Sequence, residues 1–255
     1  MSAPFDNAVT TLMQQHRSIR QYRPDPLPEG MLEAIVASAQ MASTSSYLQY
    51  YSVIAVQDPA RKERLAALCG DQAHIRQCPV FLAFCADAYR LRRACALEGK
   101  QLQTDYLEAF LVATVDTALL AQNVALAAES LGLGIVYIGA IRNNTAQVIA
   151  ELELPELVFP ITGLCLGYPA EDPALKPRLP LPAVLHRERY HTGDTDAHLA
   201  AYDQTILAEQ VFRSAETGEL YTWTSRAARR ASYTDPKQLR IEMGQVVRDQ
   251  GFGLL

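Results

Sequence analysis

The 255-residue sequence has no Cys-x-x-Cys pair, and its five cysteines (Cys69, Cys78, Cys85, Cys95 and Cys165) are odd in number and scattered. That excludes a disulfide framework and a zinc ribbon, and points to buried free thiols in a reducing cytoplasm. There is no G-x-x-x-x-G-K-[ST] loop, and Gly132-x-Gly134 lacks the third glycine of a dinucleotide fingerprint. The five histidines (His16, His74, His186, His191 and His198) show no metal-ligand spacing, so no metal is expected. No G-x-S-x-G elbow is present, and no cysteine has a base beside it to make a nucleophile. The N-terminus lacks a basic stretch followed by an apolar core, so no signal peptide is expected. A formal net charge of -5 gives no general attraction to nucleic acid or to anionic membranes. No internal repeat or low-complexity tract is evident.

What is present is an ordinary globular composition, 49% apolar and 20% charged, with ample length for a core. Short helices are expected over Asp6–Gln15, from Pro28-Glu29 onward, and from Asp58-Pro59 to Cys69, the last with an N-cap and proline at its first position. Strands are expected at Ser52–Val56, Val80–Ala86, Ile135–Gly139 and Ile161–Tyr168; the apolar run Val80–Ala86 reads as buried on both faces. Arg90–Gln103 is polar with little periodicity and reads as a mobile excursion. Asp105–Leu131 reads as one long helix, apolar nearly all round. Asp116, Gln122, Asn123 and Glu129 interrupt it and argue against a membrane span, so a second subunit is expected to cover part of it. Thr145–Leu152 reads as a further helix. Past Pro169 a proline-rich strap leads to a mostly helical tail, with Leu199–Arg213, a segment around Trp223, and a helix capped at Asp235-Pro236 and closed by Gly251. Four strands interleaved with helices give an α/β or α+β layered fold.

The chemistry concentrates in His16-Arg17-Ser18-Ile19-Arg20. Two guanidiniums, an imidazole and a hydroxyl within five residues suit an anion, because arginine presents a planar fork to phosphate. Far away, Lys176-Pro177-Arg178 sets a second basic doublet in a proline-framed loop. Two such clusters in an acidic chain suggest one anionic ligand held from two sides. Thr44, Ser45 and Ser46 lie in a hydroxyl-rich turn, and Gln72-Ala73-His74 in a polar one.

These segments resemble the oxygen-insensitive NADPH nitroreductases and the related NADPH-flavin reductases of luminous bacteria, a branch of the FMN-dependent nitroreductase family. The likeness begins in His16–Arg20 and runs through Ser43–Gln49, Phe84–Asp87 and Val115–Ala118. It is strongest in Ala128–Gly134, Val136–Gly139, Arg142–Asn144 and Leu175–Pro180, in the family's order over most of residues 10–215. It implies an α+β fold of nitroreductase type, a central mixed β-sheet flanked by helices, in a cytoplasmic homodimer with flavin at the subunit interface. The division it implies is an FMN-binding core over 1–195 and a helical C-terminal excursion over 196–255, part of the same domain and of the dimer interface.

Carried over position by position, it assigns non-covalent FMN to His16, Arg17, Ser18, Ile19, Arg20, Thr44, Ser45, Ser46, Gln72, Ala73, His74, Tyr137, Ile138, Gly139, Ala140, Lys176, Pro177 and Arg178. Arg20 would meet the flavin N1/O2 edge and Gly139 would let the backbone approach N5. Arg213 matches the arginine that holds the NADPH 2'-phosphate. The second nucleotide arginine aligns near Asp235, leaving Arg226, Arg229 or Arg230 as substitutes. Thr44 stands where serine is usual, Ala140 where a second glycine is usual, and the stretch Arg90–Gly99 is longer than usual. The implied activity is ping-pong, two-electron reduction of nitroaromatics, quinones or flavins by NAD(P)H, with no catalytic protein group beyond the cofactor. The competing class is a flavin-storage protein with the same FMN grip and no nucleotide-driven turnover.

Overall fold

A computed structural model describes residues 5–255, apart from the side chain of Lys237. The chain forms two compact units, one built from the chain up to Pro173 together with Arg240–Leu255, the other from Ala174–Leu239.

The first unit is organised on strand β2. In order it contains α1 (Ala8–Gln14), α2 (Met31–Ala39), β1 (Tyr51–Val56), α3 (Pro59–Leu68), α4 (Ala73–Gln77), β2 (Val80–Asp87), α5 (Tyr89–Leu97), α6 (Leu107–Ser130), β3 (Gly134–Ile138), α7 (Thr145–Glu151) and β4 (Val158–Gly167). The sheet order is β1-β2-β4-β3, and every ladder is antiparallel. The parallel component of the expected mixed sheet is a single bridge, Ser18 to Ile135, on the outer side of β3. Every residue of β2 is buried, and alternation explains why. Phe81, Ala83 and Cys85 face a core shared with Leu65, Ile75 and Val148 of α3, α4 and α7. Val80, Leu82 and Phe84 face another shared with Ile35 of α2 and Leu120, Val124 and Ala128 of α6. A sheet covered by helices on both faces has no solvent side, hence the unbroken apolar run.

Several boundaries differ from those expected, each with a local cause. Gly30, at a left-handed φ of 78°, delays α2 to Met31. Arg90–Gln103 is not an excursion throughout: α5 occupies Tyr89–Leu97, with the Arg90 amide donating to Asp87 Oδ1 at 3.4 Å and the Arg92 guanidinium 5.1 Å from the Tyr89 ring centroid while paired with Glu156. Charged-group contacts, which hydrophobic periodicity does not register, add to the packing of Tyr89 and Leu91 against the core. Beyond the sheet, α11 (Met243–Asp249) packs near α7, and the chain past it pairs with residues 104–107, through Gly253 N to Thr104 O at 2.6 Å and Leu107 N to Leu255 O at 3.2 Å. By length and composition alone α6 would reach across a bilayer. Here it lies on the sheet, with Asp116 buried among its core residues.

The second unit contains α8 (Thr195–Ala208), α9 (Trp223–Ala231) and α10 (Pro236–Leu239). Gln210 takes a φ of 51° and Val211 N donates to Ile206 O, which closes α8 before Arg213 is reached. Arg213 therefore lies outside the expected helix, bridged to Leu220. Likewise Arg240, with a φ of 51°, breaks the helix expected from Asp235 into α10 and α11.

Candidate functional site

The segment His16–Arg20 lies beside β3, where Ile19 N donates to Ile135 O at 2.8 Å. Gly134 permits this approach: a Cβ there would stand 2.7 Å from Ile19 Cγ1. Ile19 faces the core at 6% exposure and Tyr22 donates its hydroxyl to Ile19 O at 2.7 Å, so Ile19 can touch a ligand only through its main chain. Pinning Ile19 leaves His16, Arg17 and Ser18 half-buried and Arg20 exposed. Arg17 donates from Nη1 to Asp172 at 2.7 Å, while its Nε is buried without a hydrogen-bond partner among the described residues. The amides of Arg20 and Gln21 both donate to Glu171 Oε1, at 2.5 and 3.1 Å.

Next to it stand the Gln72–His74 corner and the turn after β3. Gln72 donates from Nε2 to Cys69 O at 3.0 Å, which steadies the start of α4. His74 lies close enough to Arg20 to feel its charge: burial first, then Arg20, lowers its pKa below the ordinary 6.5, against a smaller opposing pull from Glu171. Its Nε2 is buried with no partner among the described residues. Gly139 and Ala140 form a 3-10 turn after β3, and the nearest atom to a Cβ at Gly139 would be Arg142 Nη2 at 3.7 Å. Only the end of the Arg142 side chain stands within 4 Å of that point, at ordinary van der Waals distance, so the Gly139 backbone leaves room for a flat ring. Ile138, 1% exposed, offers only its main chain. Arg240 closes the far side, donating to Asn143 Oδ1 at 2.8 and 3.0 Å and to Gly139 O at 3.3 Å.

The Thr44–Gln49 loop is strained. Ser46, Tyr47 and Gln49 hold φ values of 49°, 60° and 53°, a region that costs a side-chain-bearing residue roughly 1–2 kcal/mol. Two charges of opposite sign hold it there. Asp116, 1% exposed in the middle of α6, accepts from Thr44 Oγ1, from Ser45 N at 2.9 Å and from Tyr50 N at 3.3 Å. Arg90 of α5 takes the carbonyls, donating to Gln49 O at 3.2 Å and to Tyr51 O.

The four polar residues that interrupt α6 thus share a purpose. Asp116 ties down the strained loop, and Asn123, a heptad later, reaches loosely to Ala39 O at 3.5 Å. Gln122 meets the Tyr137 hydroxyl at 3.5 Å, and Glu129, again a heptad on, lies with Oε1 2.6 Å from His16 Nδ1. Seven residues bring a helix back to nearly the same face, so each pair looks in one direction.

In the second unit, Lys176 and Arg178 are exposed, and Pro177 O accepts from the buried Tyr202 hydroxyl at 2.9 Å. Arg213 is exposed, donating to Gly218 O at 2.6 Å and Gln210 Oε1 at 2.8 Å. Arg226 lies over the Phe212 ring at 4.8 Å and Arg229 over Tyr221 at 5.6 Å.

Comparison with known proteins settles the family. The sequence pattern of the nitroreductase family matches residues 13–168, and that of the nitroreductase family C-terminal domain matches residues 176–255. The chain belongs to the nitroreductase family. It is 43% identical over 218 residues to an oxygen-insensitive NADPH nitroreductase of Salmonella typhimurium, covering 86% of this chain and 88% of that one. It is 37% identical over 253 residues to an FMN reductase (NADPH) of Bacillus subtilis, covering 97% and 99%. Among solved structures, the hypothetical oxidoreductase YcnD from Bacillus subtilis superposes with a TM-score of 0.91 at 38% identity, over 98% of this chain and 99% of that one. The α+β nitroreductase fold expected from the sequence is the fold found.

Within this nitroreductase, the first unit brings His16–Arg20, Gln72–His74 and Tyr137–Ala140 to one region. Thr44–Ser46 are fastened to the same helix that holds His16 and Tyr137. Asp116, Glu129, Arg90 and Arg240 went unassigned in the sequence. The signal for the first two was their cost, since an acid inside an apolar helix needs a partner. Arg240 gave none, because it stands where a capped helix was expected to continue.

Proposed function

We propose that this nitroreductase is an FMN-dependent NAD(P)H oxidoreductase that reduces nitroaromatics, quinones or flavins, acting as a cytoplasmic homodimer on small molecules. The observation that carries the reading is a pair of buried polar atoms without hydrogen-bond partners among the described residues, Arg17 Nε and His74 Nε2, on two segments that pack into the same core as the end of β3. Buried polar atoms rarely go unpaired, so a cradle with two of them suits a polar ligand, and the phosphate-bearing flavin fits the surrounding cations. The names of the relatives, NADPH nitroreductase and FMN reductase, support the same cofactor and reductant.

When bound, FMN supplies the two-electron chemistry at N5, between the nicotinamide and the acceptor. The protein binds and orients. His16, Arg17 and Ser18 would bind the phosphate, and the family resemblance assigns Lys176, Pro177 and Arg178 to the same group. Arg20 would set a fixed positive charge by the N1/O2 edge, where negative charge develops on reduction. Thr44, Ser45 and Ser46 would line the ring through a loop that Asp116 and Arg90 hold in one shape, and Gln72, Ala73, Tyr137, Ile138 and Ala140 would complete the walls. Arg213 would read the NADPH 2'-phosphate, and Arg240 adds a cation beside Gly139. A single pocket serving reductant and acceptor in turn implies ping-pong kinetics.

The homodimer is supported by Leu107, Leu111, Val115 and Leu119, which stand 43–51% exposed along one ridge of α6. Apolar residues repeating at i, i+4 are a buried stripe in search of a partner. The test of the function is anaerobic NADPH oxidation by the purified protein with a nitroarene or quinone. Turnover is expected; flavin bound with no turnover would leave flavin storage as the activity.

A further inference from the structure

Glu129 is an expensive residue for its position. It lies one residue from the end of α6, where the helix terminus carries partial negative charge and opposes a carboxylate. Its side chain is only 10% exposed, and Oε2 is buried with no hydrogen-bond partner among the described residues. Burial of Tyr137 first, and then the Glu129 charge, raises the phenol's pKa, so the carboxylate lies near enough to Tyr137 for its charge to be felt there. A position that only had to be filled would take glutamine or leucine. What the carboxylate does have is His16 Nδ1 at 2.6 Å.

That contact fixes two things. The ring nitrogen facing Glu129 must carry a proton, because a carboxylate only accepts. The ring plane is also held, so Nε2, on the other side of the ring from Nδ1, points away from Glu129, and the next residue, Arg17, has its Nε buried without a partner among the described residues. With both ring nitrogens protonated, a ring held in this way donates on both sides, to Glu129 and to an anion.

We propose that Glu129 is a positioning residue, which by accepting the Nδ1 proton of His16 aims the Nε2–H of the imidazolium at the phosphate of the flavin. The inference rests on the FMN reading above and adds a residue to it that does not touch the ligand. It makes Glu129 the support that orients a ligating histidine, as carboxylates do for metal-bound imidazoles.

The test uses the full chain stripped of flavin and titrated with FMN and with riboflavin, which lacks the phosphate. In the wild type the ratio of the two dissociation constants measures the phosphate grip. Glu129→Ala should cut that ratio about tenfold, the effect of one charge-assisted bond, while riboflavin binding stays within about twofold. Glu129→Gln, which keeps an acceptor and the shape of the side chain, should restore part of the loss. In the His16→Ala background, Glu129→Ala should change nothing further. Equal losses for FMN and riboflavin in both variants would reduce Glu129 to a general packing role and overturn the inference, as would a ratio unchanged from wild type. A wild type that binds both flavins equally well, or neither, would instead overturn the cofactor reading itself.

Discussion

His74 shows how one side chain in this cradle responds to pH. Burial and the nearby Arg20 lower its pKa from 6.5, so the folded protein binds this proton less readily than the unfolded chain. Between the ordinary imidazole value and the lowered one, the unfolded state then carries more protons, and stability rises with pH. The contribution is present above about pH 6.5 and is lost as pH falls through that window. Urea midpoints measured from neutral to mildly acid pH should therefore fall toward acid in the wild type and fall less in His74→Gln. A slope identical in the two proteins would remove His74 from the account. The basic cluster of His16–Arg20 stood out in the sequence only beside the second doublet of Lys176 and Arg178 and the family resemblance, since basic pentapeptides are common on protein surfaces. The acids that organise the site did not, because Asp116 bonds to a loop 72 residues earlier and Glu129 to a ring 113 residues earlier. In one dimension such residues register only as flaws in an apolar helix.

At the scale of elements, the strands and α6 could be read because burial on both faces writes a continuous apolar run and a nearly all-round apolar helix. Elements held partly by other forces could not. The order of α5 depends in part on Asp87, Glu156 and the Arg90 contacts, and the break between α10 and α11 depends on one arginine in a left-handed conformation. The most consequential contact between elements is the close approach of His16–Arg20 to β3, which needs a residue without a side chain at Gly134. Gly134→Ala puts a methyl 2.7 Å from Ile19 Cγ1, so Ile19 or the strand must shift. Overpacking of this kind costs about 1–3 kcal/mol, and here it also displaces the basic segment. The expected result is a lower unfolding midpoint together with weaker flavin retention; loss of stability with full flavin retention would place the basic segment outside the cofactor's reach.

For the whole molecule, the apolar ridge of α6 predicts a dimer of twice 28.2 kDa in solution. Replacing Val115 with arginine places a charge on that ridge at a residue 47% exposed in the single chain, so the fold should survive while association fails. Sedimentation of wild type and variant at low micromolar concentration checks this, and a wild type that sediments as a monomer with flavin still bound would contradict it. Anaerobic half-reactions of the protein as purified show whether this chain holds FMN and cycles it between NAD(P)H and an acceptor. One equivalent of NADPH should bleach the visible band of the bound flavin and one equivalent of a quinone should restore it, with FMN released on denaturation. A protein that carries no flavin, or whose flavin neither NADPH nor NADH reduces, would contradict that function.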